Sequence, residues 1–254
     1  MNSPLVIAHR GNSLSAPENT LAAIREAIAL GSDCVEVDVR CTKDAVPILM
    51  HDPAIGRLTG DMGYVSDLSL EEIRKLDVGS RKDEKYRGEG IPTLEEALLE
   101  AKGRTQLVAE VKVDCAEQIQ QLVRKLKVEQ GLFFAGFRIE LLQKLFRTMP
   151  NFGVAWVLNA PQWLGANSAK AIELASESEI GVIVPPFPAV SPSSVCCAHE
   201  VGLKVWTYEV EPDQFEKTMA AGVDGIITDY LQELLTFLAV RIGRPARSTE
   251  AACP

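Results

Sequence analysis

The sequence predicts an α/β fold: a (β/α)8 barrel, the TIM barrel, with a small insertion after the second strand. Three observations predict it. Eight short β-rich runs alternate with helical patterns, which implies parallel strands joined by right-handed crossovers. Eight units favour closure over an open doubly wound sheet, and no G-x-G-x-x-G follows any strand to support that alternative. The length, 254 residues, suits one such barrel. The barrel is expected over 1–242, with the insertion over about 52–92 and a small, polar, Pro-containing tail over 243–254.

Strands are expected at 5–9, 34–39, 107–112, 132–137, 153–158, 180–184, 203–208 and 225–228. Helices are expected at 19–30, 94–102, 116–128, 138–148, 162–176, 192–201, 211–221 and 231–241. Ser69 with Glu72, and Thr93 with Glu96, read as capping boxes. Pro212 suits a first helical turn, and Gly31, Gly202 and Gly222 follow helical runs as C-terminal caps do. One region breaks the rhythm. Residues 35–40 run out, 42–45 turn and 46–51 return, which brings His51 level with Glu36 and Asp38. The rest, to 92, is polar and Gly-rich with a short helix at 70–76. Such an excursion from the C-terminal end of a barrel strand lies where barrel active sites sit.

Composition excludes several functions. The net charge is −9 and no Lys/Arg-rich block exists, which disfavours nucleic-acid binding and a nuclease. No apolar run spans a bilayer, and the N-terminal residues lack the charged and apolar regions of a signal peptide. The six cysteines form no C-x-x-C pair, so free thiols in a reducing cytoplasm are expected.

The chemistry concentrates at strand ends. In CVEVDVR, alternation puts Glu36 and Asp38 on one face and three valines on the other. Adjacent carboxylates repel and cost desolvation unless a cation joins them. Glu110 and Lys112 share a face of LVAEVK in the same way. Three carboxylates at neighbouring strand ends make a hard oxygen site for a divalent cation, Mg²⁺ or Ca²⁺. Of the three histidines, His9 ends the first strand and His51 ends the hairpin, so both converge on the carboxylates as an acid–base pair. His199 is expected at the surface. Arg10 and Lys112 suit a phosphate group beside the cation, or a simpler pairing with local carboxylates. Trp206 offers a flat wall at the mouth, and Asp229 is expected to cap the last helix.

Taken together, AHRGNSLSAPENTLAAIREAIALG and CVEVDVRCTKDAVPILMHDPAIGRLTG resemble the opening of the glycerophosphodiester phosphodiesterase family. IPTLEEAL, LVAEVK, KVWTY and GVDGIITDY resemble its later motifs in order, so the likeness spans about 5–235. It implies hydrolysis of a small-molecule glycerophosphodiester to sn-glycerol 3-phosphate and an alcohol, with a divalent cation. By position it implies Glu36, Asp38 and Glu110 as metal ligands and His9 and His51 as catalytic acid and base. Arg10 and Lys112 would hold the phosphate, and Trp206 would line the glycerol or headgroup side. The implied attacker is the glycerol 2-hydroxyl, giving a cyclic phosphate that water opens.

Three positions depart from the family pattern. Gly136-Phe137-Arg138 stands where Ser-Phe-Asp is usual, Glu209 near a usual Asn, and Leu231 where Pro is usual. Glu209 adds negative charge near the expected headgroup side. A lysophospholipase D would want an apolar, membrane-seeking insertion, and this one is mostly polar. A non-catalytic binding barrel would have no need of two acid–base groups. No stable membrane insertion and no nucleic-acid partner are expected. The oligomeric state and the alcohol are left open.

Overall fold

A computed structural model describes residues 3–128, 131–165 and 167–243. The tail beyond Gly243, with Cys253, lies outside the described residues.

The sheet is built from β1 (Leu5–Ala8) and β2 (Cys34–Cys41), with β3 (Pro47–Leu49) returning antiparallel against the end of β2. It continues with β4 (Gln106–Val111), β5 (Leu132–Gly136), β6 (Val154–Val157), β7 (Val182–Val184), β8 (Lys204–Thr207) and β9 (Gly225–Thr228). Apart from β3 all pairings are parallel, in the order β1-β9-β8-β7-β6-β5-β4-β2. Closure comes from β1 pairing also with β2, Ile7 against Cys34 and Ala8 against Val35. No edge is left between these eight strands, which form the expected barrel.

Alternation along each strand decides what faces where. Val35, Val37 and Val39 of β2 and Leu107, Ala109 and Val111 of β4 point outward into the core beneath the helices. Burying each such valine or leucine contributes about 1.5–3 kcal/mol. Cys34, Val108, Ala135, Ala155, Val182 and Trp206 point inward and fill the lower barrel. Trp206 fits because it pairs with Gly225. A Cβ on residue 225 would meet the indole at 2.5 Å.

The helices are α1 (Leu21–Leu30), α2 (Gly56–Thr59), α3 (Leu70–Ile73), α4 (Leu94–Ala101), α5 (Ala116–Leu126) and α6 (Ile139–Thr148). After them come α7 (Ala160–Trp163), α8 (Asn167–Glu177), α9 (Pro192–Glu200), α10 (Phe215–Ala221) and α11 (Leu231–Ile242). Both expected capping boxes form, Ser69–Glu72 on α3 and Thr93–Glu96 on α4. The helix expected over 162–176 is two. Asn159 and Gln162 cap α7 early, and Gly165, at φ +61°, lies in the break before α8. Asn19, at φ +57°, delays α1 until Leu21, where Thr20 accepts from the Ala23 amide.

The segment between β3 and α4 packs its own small core of Ile48, Met50, Ile55, Val65, Ile73, Val78 and Ile91. Polar contacts tie it back to the loop after β1 and to α1: Lys82 donates to the Ser13 carbonyl and Tyr86 to Glu26. Among the described residues, no helix is long and apolar enough to cross a membrane.

Candidate active site

The site grows from the ends of β1, β2 and β4. Asp38 and Glu110 are direct neighbours across the β2–β4 ladder, and Glu36 lies two residues earlier on the same face. One oxygen from each of Glu36, Asp38 and Glu110 lies within 4.8 Å of the others. Glu36 and Asp38 are buried. Burial, then the charge of Asp38, pushes the Glu36 carboxyl well above the usual range, with Glu110 adding to the effect. Its Oε1 is buried without a hydrogen-bond partner. An orphaned acceptor beside two more carboxylates is what a hard cation satisfies, so the donor set fits Mg²⁺ or Ca²⁺.

Asp38 behaves in the opposite way. Burial would raise its pKa, but Lys112 and then Arg10 hold it below the usual range, with Asn19 assisting. Lys112 Nζ lies 2.9 Å from Asp38 Oδ1 and also pairs with Glu110. Arg10 Nε lies 3.2 Å from Asp38 Oδ2, and the Arg10 amide donates to Glu36 at 2.9 Å. Asn19 clamps Asp38 twice, its amide donating to Oδ2 at 2.8 Å and its carbonyl accepting the Asp38 backbone N–H at 2.9 Å. The left-handed backbone of Asn19 makes this reach possible.

The hairpin does what its spacing predicts. Val39 faces Leu49 and Arg40 faces Ile48, and the Met50 amide donates to the Asp38 carbonyl. His51 therefore follows directly on the residue bonded to Asp38 and lines the same cavity as Glu36. Arg40 fastens it there by donating to the His51 carbonyl at 2.8 Å.

Each of these two histidines has a carboxylate behind it. His9 Nδ1 lies 2.8 Å from Asp229 Oδ1, and His51 Nδ1 lies 2.7 Å from Asp52 Oδ1. The carboxylates accept, so Nδ1 carries the proton and Nε2 is left for exchange. Burial would lower the His9 pKa; the hydrogen bond to Asp229, then the charge of Glu36, raises it above its ordinary value.

Asp229 corrects an expectation. It does not cap α11, whose N-cap is Tyr230 without a side-chain bond. It accepts from His9 and from Ser13 instead. Glu18, Asp52 and Arg57 also went unassigned in the sequence. Arg57 grips Glu18 at 2.6 and 2.7 Å and Asp52 at 2.5 Å, while Glu18 holds Arg10 at 2.9 Å. One guanidinium thus braces both the residue behind His51 and the residue behind Arg10. The only sequence signal for this was the motif context, PENT and HDP.

His9, Arg10, Glu36, His51, Glu110 and Lys112 line one cavity of about 180 Å³ at the barrel mouth. Asp38 does not line it; it is buried and paired with Arg10 and Lys112. Trp206 lies deeper than a mouth wall. It is 3 % exposed and tilted against Phe133 with centroids 5.0 Å apart, and it meets the same cavity from below. His199 stays apart on α9, paired with Asp224 at 2.9 Å. The cysteines among the described residues are free thiols.

The barrel is closed and parallel, and two histidines, an arginine and a lysine gather round three carboxylates at its mouth, an arrangement in keeping with an enzyme of the phosphodiesterase class. Known proteins agree. Residues 9–233 match the Glycerophosphoryl diester phosphodiesterase family. The chain therefore belongs to that family. A glycerophosphodiester phosphodiesterase of Caldanaerobacter subterraneus is 32% identical over 244 residues, covering 92% of this chain and 97% of its own. One from Bacillus subtilis is 30% identical over 246 residues, covering 89% and 83%. Among solved structures, an Oleispira antarctica phosphodiesterase in complex with the product sn-glycerol-3-phosphate superposes with a TM-score of 0.80. It is 28% identical and covers 92% of this chain and 96% of that one.

Proposed function

We propose that the enzyme hydrolyses glycerophosphodiesters to sn-glycerol 3-phosphate and an alcohol by histidine acid–base catalysis with a divalent cation. One observation carries the reading. His9 and His51, each with Nδ1 committed to a carboxylate, line the same cavity as Glu36 and Glu110.

Arg10 and Lys112 bind the phosphoryl oxygens, exchanging part of their pairing with Asp38 and Glu110 for the substrate's charge. One histidine takes the proton of the attacking glycerol 2-hydroxyl at Nε2, and the other donates a proton to the leaving alcohol. The cyclic phosphate is opened by water with the two roles reversed. Glu36, Asp38 and Glu110 would hold the cation, which supplies neutralisation of charge developing on the phosphoryl group. Trp206 supports the organic part of the substrate from below. The buried Oε1 of Glu36 supports the cation's place in this reading. Free thiols fit a cytoplasmic location.

The test is release of glycerol 3-phosphate from a panel of glycerophosphodiesters, first in EDTA and then with Mg²⁺ or Ca²⁺ restored. Activity is expected to vanish and return. Full turnover in EDTA would remove the cation from the reading, and no release from any diester would remove the reaction.

A further inference from the structure

The cavity is divided by charge. Its wall from β1 to β4 carries the groups assigned above to proton transfer and phosphate and two of the three carboxylates assigned to the cation, Glu36 and Glu110. Its wall from β5 to β9 is aliphatic and aromatic except at one position, Glu209, just past β8. Among the described residues the Glu209 carboxylate makes no hydrogen bond and no ion pair. Its backbone sits at φ +59°, a left-handed conformation that costs a non-glycine residue about 1 kcal/mol or more and persists only where neighbours enforce it. Those neighbours are anchored: Val210 is buried, and Tyr208 OH donates to the Leu158 carbonyl at 3.0 Å. The kink between them carries an unpaired negative charge to an otherwise neutral wall.

The aromatic partners are in place. Tyr208 lines the cavity beside Glu209, and its phenol is pushed up to about 12 by burial and then by the charges of Glu209 and Glu110. Phe137, 42 % exposed past the end of β5, also lines it. Lys112 Nζ lies 5.7 Å from the Phe137 ring centroid, so this ring already takes part in a cation–π contact.

We propose that Glu209, Phe137 and Tyr208 form a subsite for a cationic ammonium group on the leaving alcohol. The inference rests on the glycerophosphodiesterase reading. The phosphate, held at the β1–β4 wall, leaves the far wall for the alcohol. A carboxylate that makes no ion pair of its own attracts an ammonium head there, and the ring faces suit its methyl groups or N–H bonds. Neutral polyol headgroups can hydrogen-bond the carboxylate but lack the charge attraction, and anionic ones are repelled.

The experiment compares kcat/KM for glycerophosphocholine and glycerophosphoglycerol in the unsubstituted enzyme and in Glu209→Gln, both with Mg²⁺. The choline-to-glycerol ratio is expected to fall about tenfold in Glu209→Gln, mostly through KM, consistent with loss of one partly solvated charge contact. Phe137→Leu should lower the same ratio by a smaller factor. An unchanged ratio in Glu209→Gln, even with both rates reduced, overturns the subsite and leaves the hydrolase reading standing. Binding of choline chloride, followed by calorimetry, separates the two ideas further. If no diester is cleaved but choline binds and Glu209→Gln weakens it, the subsite stands and the reaction falls. Choline binding that is absent, or equal in both proteins, overturns the subsite.

Discussion

His9 shows how much a single residue depends on partners far away in the chain. Burial pulls its pKa down, but the bond from Nδ1 to Asp229, the charge of Glu36 and the charge of Asp229 together outweigh burial, so the imidazole holds its proton to higher pH than a free one. Asp229→Asn replaces the carboxylate whose hydrogen bond, with its charge, contributes most to that rise. The His9 pKa then falls, and the limb of the pH–activity curve governed by His9 moves to lower pH. The direction is the same for either role: an acid loses its proton earlier as pH rises, and a base becomes available earlier. His9→Ala should cost about 10²- to 10⁴-fold in kcat. In the paired experiment, a curve unmoved in Asp229→Asn would show that Asp229 does not set the proton affinity of the working group.

The loop between β1 and α1 shows the same dependence for an element. Arg10, at φ +54°, and Gly11, at φ +83°, turn the chain sharply away from the barrel wall. A Cβ on residue 11 would meet the Ala23 backbone and Cβ at 2.6 Å, so the start of α1 closes directly over this glycine. Gly11→Ala combines a disfavoured φ with overpacking and should cost at least about 2 kcal/mol, read as a lower urea midpoint with an unchanged slope. Wild-type stability in that variant would mean that α1 can retreat freely. The β2–β3 hairpin turns with Ala45 at φ +60°. Thr42 accepts the Val46 amide and donates to Asp44, and Leu68 and Leu70 of the insertion bond the turn as well, accepting from the Lys43 amide and donating to Asp44.

At the scale of the molecule, the barrel works as a frame that concentrates repulsion. Glu36, Asp38 and Glu110 are brought together by the β2–β4 register. Arg10 and Lys112 neutralise part of that charge, and a bound cation would relieve the remainder. Mg²⁺ or Ca²⁺ at about a hundred times its dissociation constant should stabilise the fold by about 2.7 kcal/mol, raising Tm by roughly 5–10 °C for a chain of this size. Glu36→Gln should abolish most of that rise. A rise of equal size in Glu36→Gln would put the ion elsewhere.

The sequence by itself determined the barrel, because eight alternating units carry their own periodicity and caps, and alternation is a local property. It also determined which faces of β2 and β4 carry Glu36, Asp38, Glu110 and Lys112, and that His51 returns to them, since strand period and hairpin length are read from adjacent residues. Family-like motifs extended that reading to roles for His9, Arg10 and Trp206. The tertiary structure alone decided what stands behind those residues. Asp229 is 220 positions from His9 and Arg57 is 39 from Glu18, and no local pattern predicts pairs brought together only by closure of the sheet and folding of the insertion. It also decided the depth of Trp206, which depends on the room left by Gly225 on the neighbouring strand. The division of the cavity into a charged and an apolar wall, with Glu209 as the exception, follows from which strands face each other across the barrel.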